Sequence, residues 1–184
     1  MTTNTLIVLG VVVVIAVLAL AWVYMARQRR ERLRAKFGPE YERTVHDVGS
    51  EQKAEALLHE RAKRVSNYRI RELKHEERTR FSDSWRRVQA KFVDDPAAAV
   101  TEADMLVTEV MTARGYPMAD FDRRAEDLTV DHGHVVDHYR KAREIAVRHS
   151  RGAASTEDLR QALVHYRALF ADLLNESKPM RKSA

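Results

Sequence analysis

Asp131-His132-Gly133-His134, followed by Asp137-His138, gathers three imidazoles and two carboxylates within eight residues. Imidazole nitrogens and carboxylate oxygens are the common ligands of divalent metals, and on a helix His134 and His138, four residues apart, share a face. The chemistry this spacing could support is that of a metal-dependent enzyme centred on His132, His134 and His138. Such a site needs further ligands from elsewhere in the chain and outer groups to orient them. The His-Glu-x-x-His pattern of metalloproteases is absent, and neither His59-Glu60 nor His75-Glu76 completes it. The expected arrangement is therefore plainer: Asp131 caps a helix, the histidines lie on its solvent face, and no metal or other cofactor is held. His165 is expected to be a partly buried packing residue rather than a base.

Other chemistry finds less support. No Gly-x-Ser-x-Gly elbow, phosphate-cradling glycine loop or Gly-x-Gly-x-x-Gly occurs, and the chain has no cysteine. The sequence predicts a protein that is not an enzyme, with no catalytic residues and no small-molecule substrate. The basic segment RAKRVSNYRIRELKHEERTRF could meet phosphate through its cations and bases through Tyr68 and Phe81. Acids at Glu72, Glu76 and Glu77 interrupt it, and Phe81 falls on an apolar stripe, so a solvated face is expected and nucleic acid is not a predicted partner.

The elements that carry these residues begin with an apolar run, Leu6 to Ala26, which holds no charged side chain. As a helix it is long enough to cross a hydrocarbon core of about 30 Å. Directly after it come Arg27, Arg29, Arg30, Arg32, Arg34 and Lys36 against the single acid Glu31. Basic residues flanking a span resist translocation, which predicts a single-pass anchor with the N-terminus outside and the rest cytoplasmic at the cell's inner or plasma membrane. A cleaved leader fits less well: MTTNT is no basic n-region, and the run is long and ends in a basic block. The same six basic side chains are the candidate contacts to anionic lipid headgroups, each worth about 1 kcal/mol near such a surface. An Asn-x-Ser triplet at Asn175 would not meet the glycosylation enzyme in a cytoplasmic tail.

The 158 residues after Ala26 suffice for one domain. Gly38-Pro39, Gly49, Asp95-Pro96, Gly115 with Pro117, Gly133 and Gly152 cut them into helix-sized pieces. Within the pieces apolar residues recur at helical spacing. Ala54, Leu57, Leu58 and Val65 share a face behind a Ser50 cap; Phe81, Trp85, Val88 and Phe92 share another. Val100, Ala103, Leu106, Val107, Val110 and Met111 follow Asp95, an N-cap with Pro96 in the first turn. Val135, Tyr139, Ala142, Ile145 and Ala146 form the next stripe. Leu159, Ala162, Leu163, Tyr166, Phe170 and Leu173 form the last, behind a Ser155/Asp158 capping box. The predicted class is all-α: one N-terminal transmembrane helix (1–26), a basic juxtamembrane stem (27–49), an antiparallel bundle of several helices (50–175) and a polar tail (176–184). Residues 61–91 carry 11 basic and 4 acidic side chains while 94–137 carry 3 and 11. This charge order predicts that the Trp85 helix packs beside the Leu106 helix.

The stretches KFGPEYERTV, SWRRVQAKFVDDPAAAVTEADMLVTEVMTARGYP, DHGHVVDHYRKAREI and STEDLRQALVHYRALFADLL resemble a family of bacterial membrane-anchored, "secreted" helical proteins of unknown function, over about Lys36 to Leu174. The resemblance implies a shared helical domain and carries no activity or ligand. The function expected is that of an adaptor or scaffold binding a protein partner at the membrane. The polar positions Gln89, Glu102, Glu109, Arg160 and Gln161 are the natural place for that surface.

Overall fold

The computed structural model describes residues 3–175, all of whose regular structure is helical. The helices are α1 (Thr3–Phe37), α2 (Pro39–Val48), α3 (Glu51–Ser66), α4 (His75–Lys91), α5 (Pro96–Ala113), α6 (Phe121–His132), α7 (Val136–Ser150) and α8 (Thr156–Asn175). The tail expected over 176–184, and with it the rest of the Asn175 triplet, lies outside the described residues. Two compact units divide the chain, one up to His59 and one from Glu60, so the boundary falls inside α3.

In the first unit α1 runs without a break for 35 residues, about 52 Å at 1.5 Å per residue. One stretch of it, Gly10–Phe37, is long and apolar enough to cross a membrane, and none of that stretch's most apolar window is buried. The expected stem is therefore two elements, the basic end of the same helix and then α2. Gly38 makes the joint with φ +53° and ψ −129°, a conformation only glycine adopts readily, and Pro39 opens α2. Phe37, Tyr41, Ala54 and Leu58 are fully buried in this part of the chain. Arg30 and Arg34 reach across to acids: Arg30 lies 2.7 Å from Glu51 and 2.9 Å from Glu55, and Arg34 lies 3.3 Å from Glu42.

The second unit builds its core where α4, α5, α7 and α8 pack, with α6 against α7. The expected stripes close on one another: Phe81, Trp85 and Val88 of α4, Val100 to Met111 of α5, Tyr139 and Ala142 of α7, and Leu159 to Leu173 of α8. Each large side chain so buried contributes about 1.5 to 3 kcal/mol of transfer free energy. Trp85 stacks on Phe170 at 4.7 Å between ring centroids. Helices α4 and α5 are neighbours, as the charge order predicted, and Lys91 pairs with Glu102 between them. The caps also form as read: the Asp95 carboxylate accepts from the Ala98 N–H at 2.9 Å. The Ser155 hydroxyl accepts from the Asp158 N–H at 3.1 Å while Asp158 accepts from the Ser155 N–H at 2.8 Å.

Two expectations are corrected. Leu57 is 49% exposed, because the buried edge of α3 runs through Ala54, Leu58 and Val65 and leaves Leu57 to one side. Asp131 does not cap the helix that follows. It belongs to the last turn of α6, a helix that apolar spacing does not reveal, since its buried side includes Asp127, Thr129 and His132. Its N-cap is Asp120, whose carboxylate accepts from the Arg123 N–H at 2.8 Å.

Candidate functional site

The end of α6 divides the histidine cluster. Gly133, His134 and Val135 form the turn between α6 and α7, so His134 and His138 do not share a helical face. His132 is not on a wet face either; it is fully buried beside the Tyr116 ring. Its Nδ1 donates to Oδ2 of Asp172 on α8 at 2.5 Å, and His134 Nε2 donates to the other oxygen, Oδ1, at 2.9 Å. Burial alone would raise the Asp172 pKa, but the His132 hydrogen bond and the charge of both imidazoles outweigh it and hold the carboxyl below its ordinary range. Asp172 is the hub of this trio, and no local sequence pattern marks it, because it sits 38 and 40 positions from its partners. The ring nitrogens facing Asp172 carry the protons of these bonds, so the trio is a hydrogen-bonded cluster. Among the described residues no group of three or more His, Cys, Asp or Glu is arranged to hold a metal ion.

His138 goes elsewhere. Its Nδ1 lies 2.8 Å from Nδ1 of His165, with the rings tilted and their centroids 5.0 Å apart. One of these nitrogens donates and the other accepts, so the bond survives only while one ring is neutral at Nδ1. Burial, then the neighbouring His138 and Lys141, push the His165 pKa down, with Asp137 opposing. A depressed folded pKa means that the unfolded chain binds more protons, so this contribution is complete above the ordinary value of 6.5 and is lost as pH falls through the lower folded value. The expected result is a melting temperature that drops between pH 7.5 and 5.5, by an amount that shrinks in His165→Gln. Circular dichroism melts of both proteins at the two pH values check it, and an identical drop in both would remove His165 as the cause.

The basic run over 61–81, which starts inside α3, is largely answered within its own unit. Asp127, almost fully buried, accepts from Arg64 Nε at 2.8 Å and from the Tyr68 hydroxyl at 2.9 Å, and Arg64 also lies 3.0 Å from Glu126. Arg71 grips Glu77 through two nitrogens, and together with the Lys74 N–H this holds Glu77 at about 2. Phe81 is in the core. Tyr68, which could have stacked on a base, is engaged by Asp127.

The six candidate lipid contacts separate into two sets. Arg30 and Arg34 are taken up by Glu51, Glu55 and Glu42, with the Arg34 guanidinium also 5.0 Å from the centre of the Tyr41 ring. Arg27, Arg29, Arg32 and Lys36 are exposed and have no ion-pair partner among the described residues. Trp22 and Tyr24, both exposed, stand just before them. What the described residues define is an all-helical chain with one candidate membrane helix. No family model, curated protein or solved structure matches the chain.

Proposed function

We propose that the chain is a single-pass membrane protein in which α1 crosses the cell's inner or plasma membrane, with the N-terminus outside and a cytoplasmic bundle of neighbouring antiparallel helices acting as an adaptor or scaffold for a protein partner. The observation that carries the tether is the contrast between the two parts of the chain. The apolar window of α1 is exposed on every side, while the helices beyond Glu60 close a core of their own. Outside a membrane such a surface is an association hazard. The basic residues from Arg27 onward support the orientation.

The chain's lack of cysteine makes the topology directly testable. A cysteine at Thr2 is expected to react with an impermeant maleimide in intact cells, and one at Ser183 only after permeabilisation. The reverse pattern overturns the orientation, and release of the protein by alkaline carbonate overturns the span.

Support for a docking face comes from the outer stripe of α5. Thr101, Met105, Glu109 and Thr112 are exposed along it, and the sulfur of Met118 accepts from the Thr112 hydroxyl at 3.0 Å. Met105 and Met118, 52% and 71% exposed, thus place adaptable apolar side chains on one line, the type of surface that repacks around a partner helix. Met105→Lys is expected to abolish in-cell crosslinking to a near-stoichiometric partner while changing stability by about 0.5 kcal/mol or less. A partner retained in Met105→Lys and Met118→Lys alike excludes this face. The exposed set Arg27, Arg29, Arg32 and Lys36 favours a second reading, an element that responds to anionic lipid.

A further inference from the structure

In the first unit a cleft of about 520 Å³ opens beside the end of the apolar run of α1, with the first turns of α3 as its other side. Along α1 the apolar Trp22, Val23 and Met25 come first and the basic Arg27, Arg29 and Arg30 follow, while Gln52 and Glu55 of α3 line the cleft from the other helix. The acid among these residues is already engaged. Arg30 Nε donates to Glu55 Oε1 at 2.9 Å, and the Tyr41 hydroxyl donates to the same oxygen at 3.0 Å, so the carboxylate of the cleft already has partners within the protein. Arg27 and Arg29 are exposed, line the cleft and have no acid to meet them among the described residues.

This is an amphipathic site with a cationic head and an apolar foot, in the size range of small-molecule pockets. The foot is continuous with the exposed apolar face of α1, so an occupant's hydrocarbon can run on along the helix without leaving apolar surroundings. The head offers two guanidinium forks, whose planar donors match phosphate oxygens, and a neutral amide donor in Gln52. Trp22 belongs to the foot, five residues before Arg27, and an indole favours the carbonyl and glycerol level of a bilayer.

We propose that this cleft binds one anionic phospholipid of the membrane that α1 crosses, its phosphate on Arg27 and Arg29 with Gln52 donating, and its upper acyl carbons against Trp22, Val23 and Met25. The inference rests on the reading of α1 as a span and makes it specific: lipid selection belongs to a built site and not to the whole basic block. Arg32 and Lys36 provide the internal comparison. They carry the same charge on the same helix but lie outside the cleft, about 9 Å and 15 Å along the axis beyond Ala26.

The test is native mass spectrometry of the full-length protein in mild detergent, titrated with phosphatidylglycerol or phosphatidylcholine. One phosphatidylglycerol adduct is expected, favoured about tenfold or more over phosphatidylcholine. Arg27→Gln/Arg29→Gln is expected to erase that preference and Arg32→Gln/Lys36→Gln to keep it to within about twofold, although both doubles remove the same charge. Both replace exposed side chains, and unchanged helical circular dichroism confirms the fold of each. Equal losses in the two doubles, equal adducts with the two lipids, or no adduct at all would each overturn the site. Carbonate extraction of the wild type separates this from the reading beneath it. A protein that resists carbonate but shows no lipid preference loses only the cleft, whereas one released by carbonate loses the span.

Discussion

Replacing Gly115 by alanine is expected to destabilise the helical unit by about 3 kcal/mol or more, among the largest effects of any single change outside the core. Gly115 ends α5 with φ +95°, where an L side chain is strained by about 1 to 2 kcal/mol. The second cost is specific to this position. A Cβ there would stand 2.3 Å from the carbonyl oxygen of Arg69 and 3.0 Å from its carbon, and both are backbone atoms that cannot swing aside as a side chain does. The close approach is itself fixed, because the Arg71 N–H donates to the Arg114 carbonyl at 2.8 Å. The helix end is locked as well: the Tyr116 N–H donates to the Met111 carbonyl and the Gly115 N–H to that of Thr112, the paired bonds of a Schellman ending. Gly152→Ala is the control, since its φ of +71° carries the strain but no atom lies within 4 Å of its Cβ. Urea unfolding of the two variants against wild type should therefore separate by about 2 kcal/mol, and equal losses would show that the contact with Arg69 is unimportant.

Gly115 also marks how far the sequence could be read. That a helix stops there follows from Arg-Gly-Tyr-Pro alone, but the backbone of Arg69 that a Cβ would strike comes from 46 residues earlier and leaves no local trace. The same division holds across the fold. Helices whose buried face is apolar, α4, α5, α7 and α8, are visible as stripes, because burial of carbon sets the 3.6-residue period. Helix α6 buries Asp127, Thr129 and His132, so its core side is written in polar residues whose partners lie on other elements. The histidine cluster misled for a related reason. Its members are adjacent in sequence, yet Gly133 closes one helix in their midst, and their true neighbours, Asp172 and His165, are 27 to 40 positions away. The basic block after Ala26 shows the converse. Its sign is plain from composition, but only the fold decides that Arg30 and Arg34 answer acids within the protein while Arg27 and Arg29, which line a cleft, meet none among the described residues.

Removing the carboxylate of Asp172 should cost about 3 kcal/mol, because it takes away the acceptor of a fully buried imidazole. The two arms of the trio are unequal. His134 is two-thirds exposed, so His134→Ala is expected to cost only about 0.5 kcal/mol, the range of a solvated pair. His132 has no such access to water, and an Nδ1–H whose acceptor at 2.5 Å is deleted must find another partner or bear the desolvation cost. The pH dependence identifies the carboxylate as the agent. Its folded pKa is depressed, so its contribution is complete above the ordinary 3.8 and is lost as pH falls through the lower folded value. Wild type and Asp172→Ala should thus differ most near neutrality and converge in strong acid; a gap that stays constant down to pH 2 would assign the loss to packing. The double replacement His132→Phe with Asp172→Leu sharpens the point. If the cost of Asp172→Ala comes from stranding a buried donor, removing donor and acceptor together should restore most of the stability, since a well-packed apolar pair matches or exceeds a buried polar one. Full recovery in the double would show that the trio is not needed to hold the α6–α7 turn against α8, because an apolar pair does it as well.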